Sequence, residues 1–237
     1  MSDNIVIVKN LKKHFGKKKA VKGISFSVER NTIFGILGPN GSGKTTTLRM
    51  LTTLLSPTSG SIEIEDMNYY YHMQQIRYDI GYVPQLDALY KNLNVWDNVD
   101  FFFTPYHYQG NRKERIIEVL NKVNLLDAKK VLAKDLSGGM LKRLSIACAI
   151  AHKPKIVFFD EVTMGLDPVA RKMIWDLARE LRESSTVIMT THYMDEAEEL
   201  CDNIIIMREG SIISEGHPRE IITKYQARNL QEVFTSL

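Results

Sequence analysis

The chain has 237 residues, 44% of them apolar, enough for one large domain or for a core carrying an inserted subdomain. Its formal charge of +3 is too small to argue for a nucleic-acid partner, and the lysine clusters Lys12-Lys13, Lys17-Lys18-Lys19 and Lys129-Lys130 fit a solvated face. Two cysteines, Cys148 and Cys201, with no CxxC pair, exclude a disulfide framework and fit small core residues in a reducing cytosol.

From the N-terminus, MSDNIVIVKN lacks the basic flank and long apolar run of a secretory leader. No window reaches the roughly 18 apolar residues of a membrane span, so a soluble chain is expected. Residues 5–8 and the alternating Ile24, Phe26 and Val28 predict strands joined by a lysine-rich turn around Gly16. Ile33–Leu37 reads as a buried strand, followed by a glycine-rich loop and a helix from about Lys44 to Leu55. Ser56–Gly60 breaks that helix, SIEIE predicts a half-buried strand, and Ile80–Val83 another, stopped by Pro84. From about Leu86 to Ile150 the period turns helical, with Trp96, Val99, Phe102 and Phe103, then Ile116, Ile117, Val119, Leu120 and Val123. Strands at Ile156–Phe159, Val187–Thr190 and Ile204–Met207, with a helix over Val169–Arg182, complete an alternating pattern. Such alternation predicts an α/β fold with a mostly parallel sheet and helices on both faces. A short helix is expected beyond Pro218.

The stretch GPNGSGKTTT after the third strand matches G-x-x-x-x-G-K-[ST] through Gly38, Gly43, Lys44 and Thr45. Its glycines let backbone N–H groups turn inward at a helix N-terminus, where they grip an anion. Lys44 then reaches the β- and γ-phosphates and the Thr45 hydroxyl binds Mg²⁺. IVFFDE supplies acids at the end of a buried strand: Asp160 to hold Mg²⁺, and Glu161 to orient and deprotonate the attacking water. LSGGM (Leu136–Met140) opens a helix, with Ser137 as a cap and two glycines leaving N–H groups exposed at its positive end. That is a second phosphate-binding surface, which makes sense if it serves the nucleotide of another subunit.

With these motifs the chain resembles the ATP-binding cassette (ABC) family of ATPases over nearly its whole length. GPNGSGKTT is similar to the family's Walker A motif, GYVPQ to the Q-loop ending in Gln85, LSGGM to the signature, IVFFDE to Walker B with its glutamate, GLDP to the D-loop centred on Asp167, and TTHYMDEAE to the switch region with His192. The resemblance implies a P-loop NTPase (RecA-like) core, an N-terminal antiparallel β subdomain and an inserted helical lobe. It divides the chain into a core of residues 1–85 and 152–217, a lobe of residues 86–151 and a helical tail of residues 218–237. It implies ATP contacts from Gly38, Pro39, Asn40, Gly41, Ser42, Gly43, Lys44, Thr45 and Thr46, and from Ser137, Gly138, Gly139, Met140 and Asp167 of the facing copy. Phe15 matches the aromatic that stacks on adenine and Ala20 a neighbouring contact, although a phenylalanine in a turn also serves as packing. Glu161, His192 and Gln85 take catalytic roles, and Thr45, Gln85 and Asp160 the metal.

Departures from the family pattern leave those ligands intact. Met140 stands where many members carry Gln, Val162 where Pro is usual, and Asn31-Thr32 where Gly-Glu is usual; Asn tolerates a left-handed backbone. The resemblance is closest to the ABC-2 type of drug exporter. It implies a second cassette, transmembrane permease subunits, no nucleic acid, and a peripheral place on the inner face of the cell membrane. Coupling to the membrane subunit is expected at Leu89, Tyr90, Trp96, Phe101–Phe103, Tyr106 and Tyr108. A soluble ABC ATPase acting on nucleic acid or the ribosome is the alternative; its members fuse two cassettes or insert coiled coils or zinc modules, none of which this sequence has.

Overall fold

In the computed structural model, which describes residues 3–106 and 108–236, the chain starts with a long antiparallel hairpin of β1 (Asn4–Phe15) and β2 (Lys18–Glu29). Gly16 makes the turn at φ 57°, as expected, but the strands run through the neighbouring lysines. Alternation explains the difference: Val21, Ile24, Phe26 and Val28 of β2 face inward while Lys18, Lys22 and the serines face out.

β3 (Ile33–Leu37) is buried at every position, and α1 (Lys44–Leu51) follows it. This helix stops four residues before the expected Leu55, because Thr53 adopts φ 59° and breaks the helical path. Leu54, whose apolar character suggested continuation, is left 62% exposed. β4 (Ser59–Ile64), the SIEIE stretch, pairs antiparallel with β1, and β5 (Met67–Asn68) extends that sheet. α2 (Tyr69–Asp79) carries no clear sequence signal, since Tyr69 and Ile76 alone are buried among three successive tyrosines and polar residues; the Asn68 side chain caps it by accepting from the Tyr70 N–H.

Next come β6 (Ile80–Val83), α3 (Val95–Phe103), α4 (Arg112–Lys122) and α5 (Gly138–Ile150). β7 (Ile156–Asp160), α6 (Pro168–Arg182), β8 (Thr186–Thr191), α7 (Met194–Leu200), β9 (Asn203–Arg208) and β10 (Ser211–Gly216) follow. The tail forms two helices, α8 (Pro218–Lys224) and α9 (Leu230–Ser236), rather than one, and buries Ile221, Leu230 and Val233.

Among the described residues the second sheet has the order β10-β9-β3-β8-β7-β6, parallel except for the antiparallel edge strand β10. Its strands divide their side chains between two cores. Phe34, Ile36, Ile156 and Phe158 face the layer made by the antiparallel sheet, α1 and α2. Ile33, Leu37, Val157 and Phe159 face α5, α6 and α7. Because β3, β8, β7 and β6 are parallel, the loops after all four open at one edge, where register sets Leu37 beside Thr191, Thr190 beside Asp160 and Phe159 beside Val83.

β6 meets α5 at Gly81, where an added Cβ would sit 2.3 Å from the Ala149 carbonyl oxygen. Gly81→Ala therefore has to part the strand from the helix, and a loss of about 1–3 kcal/mol of stability is expected. An unchanged urea midpoint would show that the two elements do not meet this closely.

Candidate active site

The loop leaving β3 passes under β9: a Cβ on Gly38, at φ 148°, would lie 2.2 Å from the Met207 carbonyl oxygen, so glycine alone fits. Gly43, at φ 107°, is the N-cap of α1 and offers no side-chain acceptor to the helix's first N–H groups. The Ser42 hydroxyl is buried with no hydrogen-bond partner among the described residues. Lys44, 4% exposed, turns back over the loop and donates to the carbonyls of Gly38 (2.8 Å) and Pro39 (3.2 Å). Uncapped helix N–H groups beside a buried ammonium suit a phosphate chain.

β7 brings its acids to the same place. The Asp160 Oδ1 accepts from Thr45 Oγ1 (3.0 Å) and from Thr190 Oγ1 (2.8 Å), and Oδ2 accepts from the Tyr82 hydroxyl (3.3 Å). Burial and the Asp160 charge push the Tyr82 phenol up to about 12, so it stays a proton donor to that carboxylate. Glu161 occupies the left-handed region at φ 47°, an unusual conformation for a non-glycine residue. Its N–H is held by the carbonyl and the hydroxyl of Thr190 (3.2 and 3.1 Å). Its carboxylate faces three partners: Lys44 Nζ on Oε1 at 3.2 Å, Gln85 Nε2 donating to Oε2 at 3.1 Å, and His192 Nδ1 at 3.8 Å from Oε1.

A cavity of about 330 Å³ is lined by Asn40, Gly41, Gly43, Lys44, Thr45, Thr46, Gln85 and Glu161, with Phe15, Lys18 and Ala20 at its β1–β2 side. Phe15 is half exposed there, under the Lys13 ammonium at 5.1 Å, and is not core packing. Thr45 lines this cavity and its Oγ1 donates to the buried Asp160 Oδ1 behind it, and two such adjacent hard oxygens fit a small divalent cation.

Ser137, Gly138, Gly139 and Met140 lie elsewhere. Ser137 caps α5 by accepting from the Met140 N–H (3.3 Å), an added Cβ on Gly138 would touch nothing within 4 Å, and one on Gly139 would approach the Ala170 Cβ at 3.2 Å. Asp167 caps α6 by accepting from the Val169 and Ala170 N–H groups, and it shares with the signature residues a second concavity of about 310 Å³. The two concavities have no lining residue in common. The structure thus gathers the residues from Gly38 to Thr46 with Gln85, Asp160, Glu161 and His192, and holds Ser137–Met140 and Asp167 apart from them.

Sequence reasoning missed Thr190, Tyr82 and Lys18. Thr190 serves both acids because it is the register partner of Asp160, and no pattern along the chain marks that pairing. Tyr82 was visible only as a residue of a short strand.

A family model described as "ABC transporter" matches residues 21–164. The chain belongs to the ABC transporter family. It is 37% identical over 235 residues to the Nod factor export ATP-binding protein I of Ralstonia nicotianae, covering 98% of this chain and 73% of that one. It is 40% identical over 217 residues to the linearmycin resistance ATP-binding protein LnrL of Bacillus subtilis, covering 91% and 70%. Among solved structures, cbiO1 from Clostridium perfringens, part of the ABC transporter complex cbiONQ, superposes with a TM-score of 0.85 at 30% identity over 94% of this chain and 92% of that one. The cassette MJ0796, a dimer in a post-hydrolysis state bound to ADP and Pi, superposes with a TM-score of 0.81 at 28% identity over 90% and 98%. The expected α/β P-loop fold is therefore found, and this ABC protein is an ATP-hydrolysing cassette.

Thr190→Val keeps the shape of the side chain while removing the hydroxyl's hydrogen bonds with Asp160 and the Glu161 N–H, and leaves the carbonyl's bond to Glu161 in place. A fall of about tenfold or more in kcat is expected, with about 1–3 kcal/mol lost in stability. Steady-state hydrolysis and thermal unfolding of the same preparation measure both, and unchanged turnover would remove Thr190 from the site.

Proposed function

We propose that this cassette is the ATP-consuming subunit of an exporter, working as a pair of cassettes on separate transmembrane subunits. The separation of the Lys44 cavity from the Ser137 concavity within one chain carries this reading. Each is half of a phosphate site, and a twofold pair brings the two kinds together twice. The exporter assignment follows the relatives named for Nod factor export and linearmycin resistance.

In this reading the triphosphate lies along the first N–H groups of α1, with adenine on Phe15 beside Ala20. Lys44 binds the β- and γ-phosphates, and Ser137, Gly138 and Gly139 of the facing copy close over them, with Met140 and Asp167 beside. Thr45 and Asp160 would hold Mg²⁺, with Gln85 nearby; when bound, the ion would neutralise phosphate charge. Lys44 and Glu161 are mutual partners at 3.2 Å, so a phosphate that draws Lys44 away leaves the carboxylate free to take a proton from the attacking water. Gln85 orients that carboxylate and the water, and His192 contacts the γ-phosphate. Hydrolysis severs the γ-phosphate from the nucleotide, and once that phosphate leaves, its bridge between the two copies is gone and the pair reopens.

The output passes through the lobe of residues 86–151, between the core segments 1–85 and 152–217, and within the tail of residues 218–237 the helices α8 and α9 pack against α7. A cavity of about 300 Å³ lies between α2, β6 and that lobe, lined in part by Leu89, Phe102 and Tyr106. Around it Leu54, Leu86, Tyr90 and Phe101 are exposed, whereas Trp96, Phe102 and Tyr108 pack on the core and Phe103 is buried within it. This apolar rim suits a short helix of a transmembrane subunit. No helix among the described residues is long and apolar enough to cross a membrane. In this reading the permease holds the cassette at the inner membrane face.

Mixing tests the shared site. Lys44→Ala and Ser137→Arg proteins are each expected to be inactive, and an equal mixture to recover up to about a quarter of wild-type turnover, since half the pairs carry one intact site. Failure of the mixture to recover, with both proteins folded, would sink the reading. Glu161→Gln is expected to slow hydrolysis by about a hundredfold or more and to give an ATP-dependent dimer on gel filtration. A protein that stays monomeric with ATP would contradict ATP-driven pairing.

A further inference from the structure

Lys142 sits on α5 one turn beyond the signature glycines, yet it is only 5% exposed. Burying an ammonium costs several kcal/mol unless it is fully paired, and its partners all belong to one short segment. Its Nζ donates to the carbonyl oxygens of Gln85 (3.0 Å) and Pro84 (3.3 Å) and pairs with Asp87 Oδ1 at 2.9 Å. Ser145, one turn further along α5, donates to the same Asp87 oxygen at 3.2 Å. The segment so held starts where β6 ends, and the Gln85 side chain reaches across to Glu161 Oε2 at 3.1 Å. A continuous polar path therefore runs from α5 through Lys142, the Gln85 backbone and the Gln85 amide to Glu161, and on to Lys44.

We propose that Lys142 is a positioning residue that clamps the Gln85 backbone to the signature helix, so that Gln85 meets Glu161 only while α5 is correctly seated. The proposal rests on the two-site reading above and adds the part that joins the sites within one chain. α5 presents Ser137–Gly139 to the facing copy's phosphates, and Lys142 conveys the seating of that helix to the carboxylate of its own site. A hydrophobic buttress could have propped residues 84–87, but only a multiple donor can take two main-chain carbonyls and a carboxylate together. The path also borders the apolar cavity, which Pro84 and Ser145 both line, so a body pressed into that cavity acts on the same clamp.

The test uses the full chain and steady-state ATP hydrolysis by wild type, Lys142→Met, Lys142→Arg, Gln85→Ala and the Lys142→Met/Gln85→Ala double variant. Lys142→Met is expected to lower kcat about tenfold while KM for ATP changes by less than about twofold, because no residue lining the nucleotide cavity is altered. The double variant should fall no further than Gln85→Ala, since both changes cut one path. Lys142→Arg, which keeps a charged multiple donor, should recover at least about half of wild-type turnover. Losses that multiply in the double variant, or a KM that rises with kcat unchanged, would overturn the clamp. Should Lys142→Met fail to fold, Asp87→Asn loosens the same cluster from its partly exposed side and should give the same non-additive pattern with Gln85→Ala. Amide exchange should then quicken over residues 85–89 and not over α1; quickening over both would mark a merely structural role. Glu161→Gln run alongside separates the two levels. If wild type turns over and Glu161→Gln does not, multiplied losses reject the clamp alone, whereas absent wild-type turnover rejects the site reading beneath it.

Discussion

The site depends on two opposite charges kept together out of water. Lys44 and Glu161 have side chains 4% and 6% exposed and lie 3.2 Å apart. Neither charge is affordable alone at that depth, because an unpaired ion loses its hydration without recompense. Together they are tolerated, because each balances the other's charge at 3.2 Å. The neighbouring groups support this pair. Gly38 and Pro39 turn their carbonyls toward the ammonium, and Thr190 fixes the backbone of the acid.

Bringing such a pair together requires strands that are distant in sequence to end side by side. β3 supplies the lysine loop and β7 the acid, and β8 lies between them in the parallel sheet. This arrangement makes Thr190 a structural centre, since it faces Asp160 in register and bonds with both acids. The strain at Glu161, φ 47°, follows from the same demand: the chain must turn sharply out of β7 to aim a carboxylate along the sheet edge rather than away from it.

Much of this was legible in the sequence, and for identifiable reasons. A buried parallel strand writes itself as an unbroken apolar run, so Ile33–Leu37 was found with correct ends and Ile156–Phe159 to within a residue. The loop after β3 is readable because its chemistry admits few residue types. Asn31, at φ 55°, adopts the left-handed turn expected from its identity. What stayed hidden is set by tertiary partners. β10 pairs only because β9 lies beside it, and α2 has too few buried positions to show a period. α1 stops at Leu51 through a backbone turn at Thr53 that its β-branched residue gives no reason to expect. Tyr82 and Lys142 act on groups carried by other elements, so no local pattern reveals them.

The topology also sets an order of assembly. Ile33 pairs with Val187 and Phe34 lies beside Asn203, so β3 has no strand neighbour until most of the polypeptide has been synthesised. The β1–β2 hairpin closes through a tight turn and can form early, as a local contact does. During translation the glycine loop therefore hangs from an apolar strand awaiting both neighbours. The parallel sheet can then close around β3 only after β8 and β9 have left the exit tunnel.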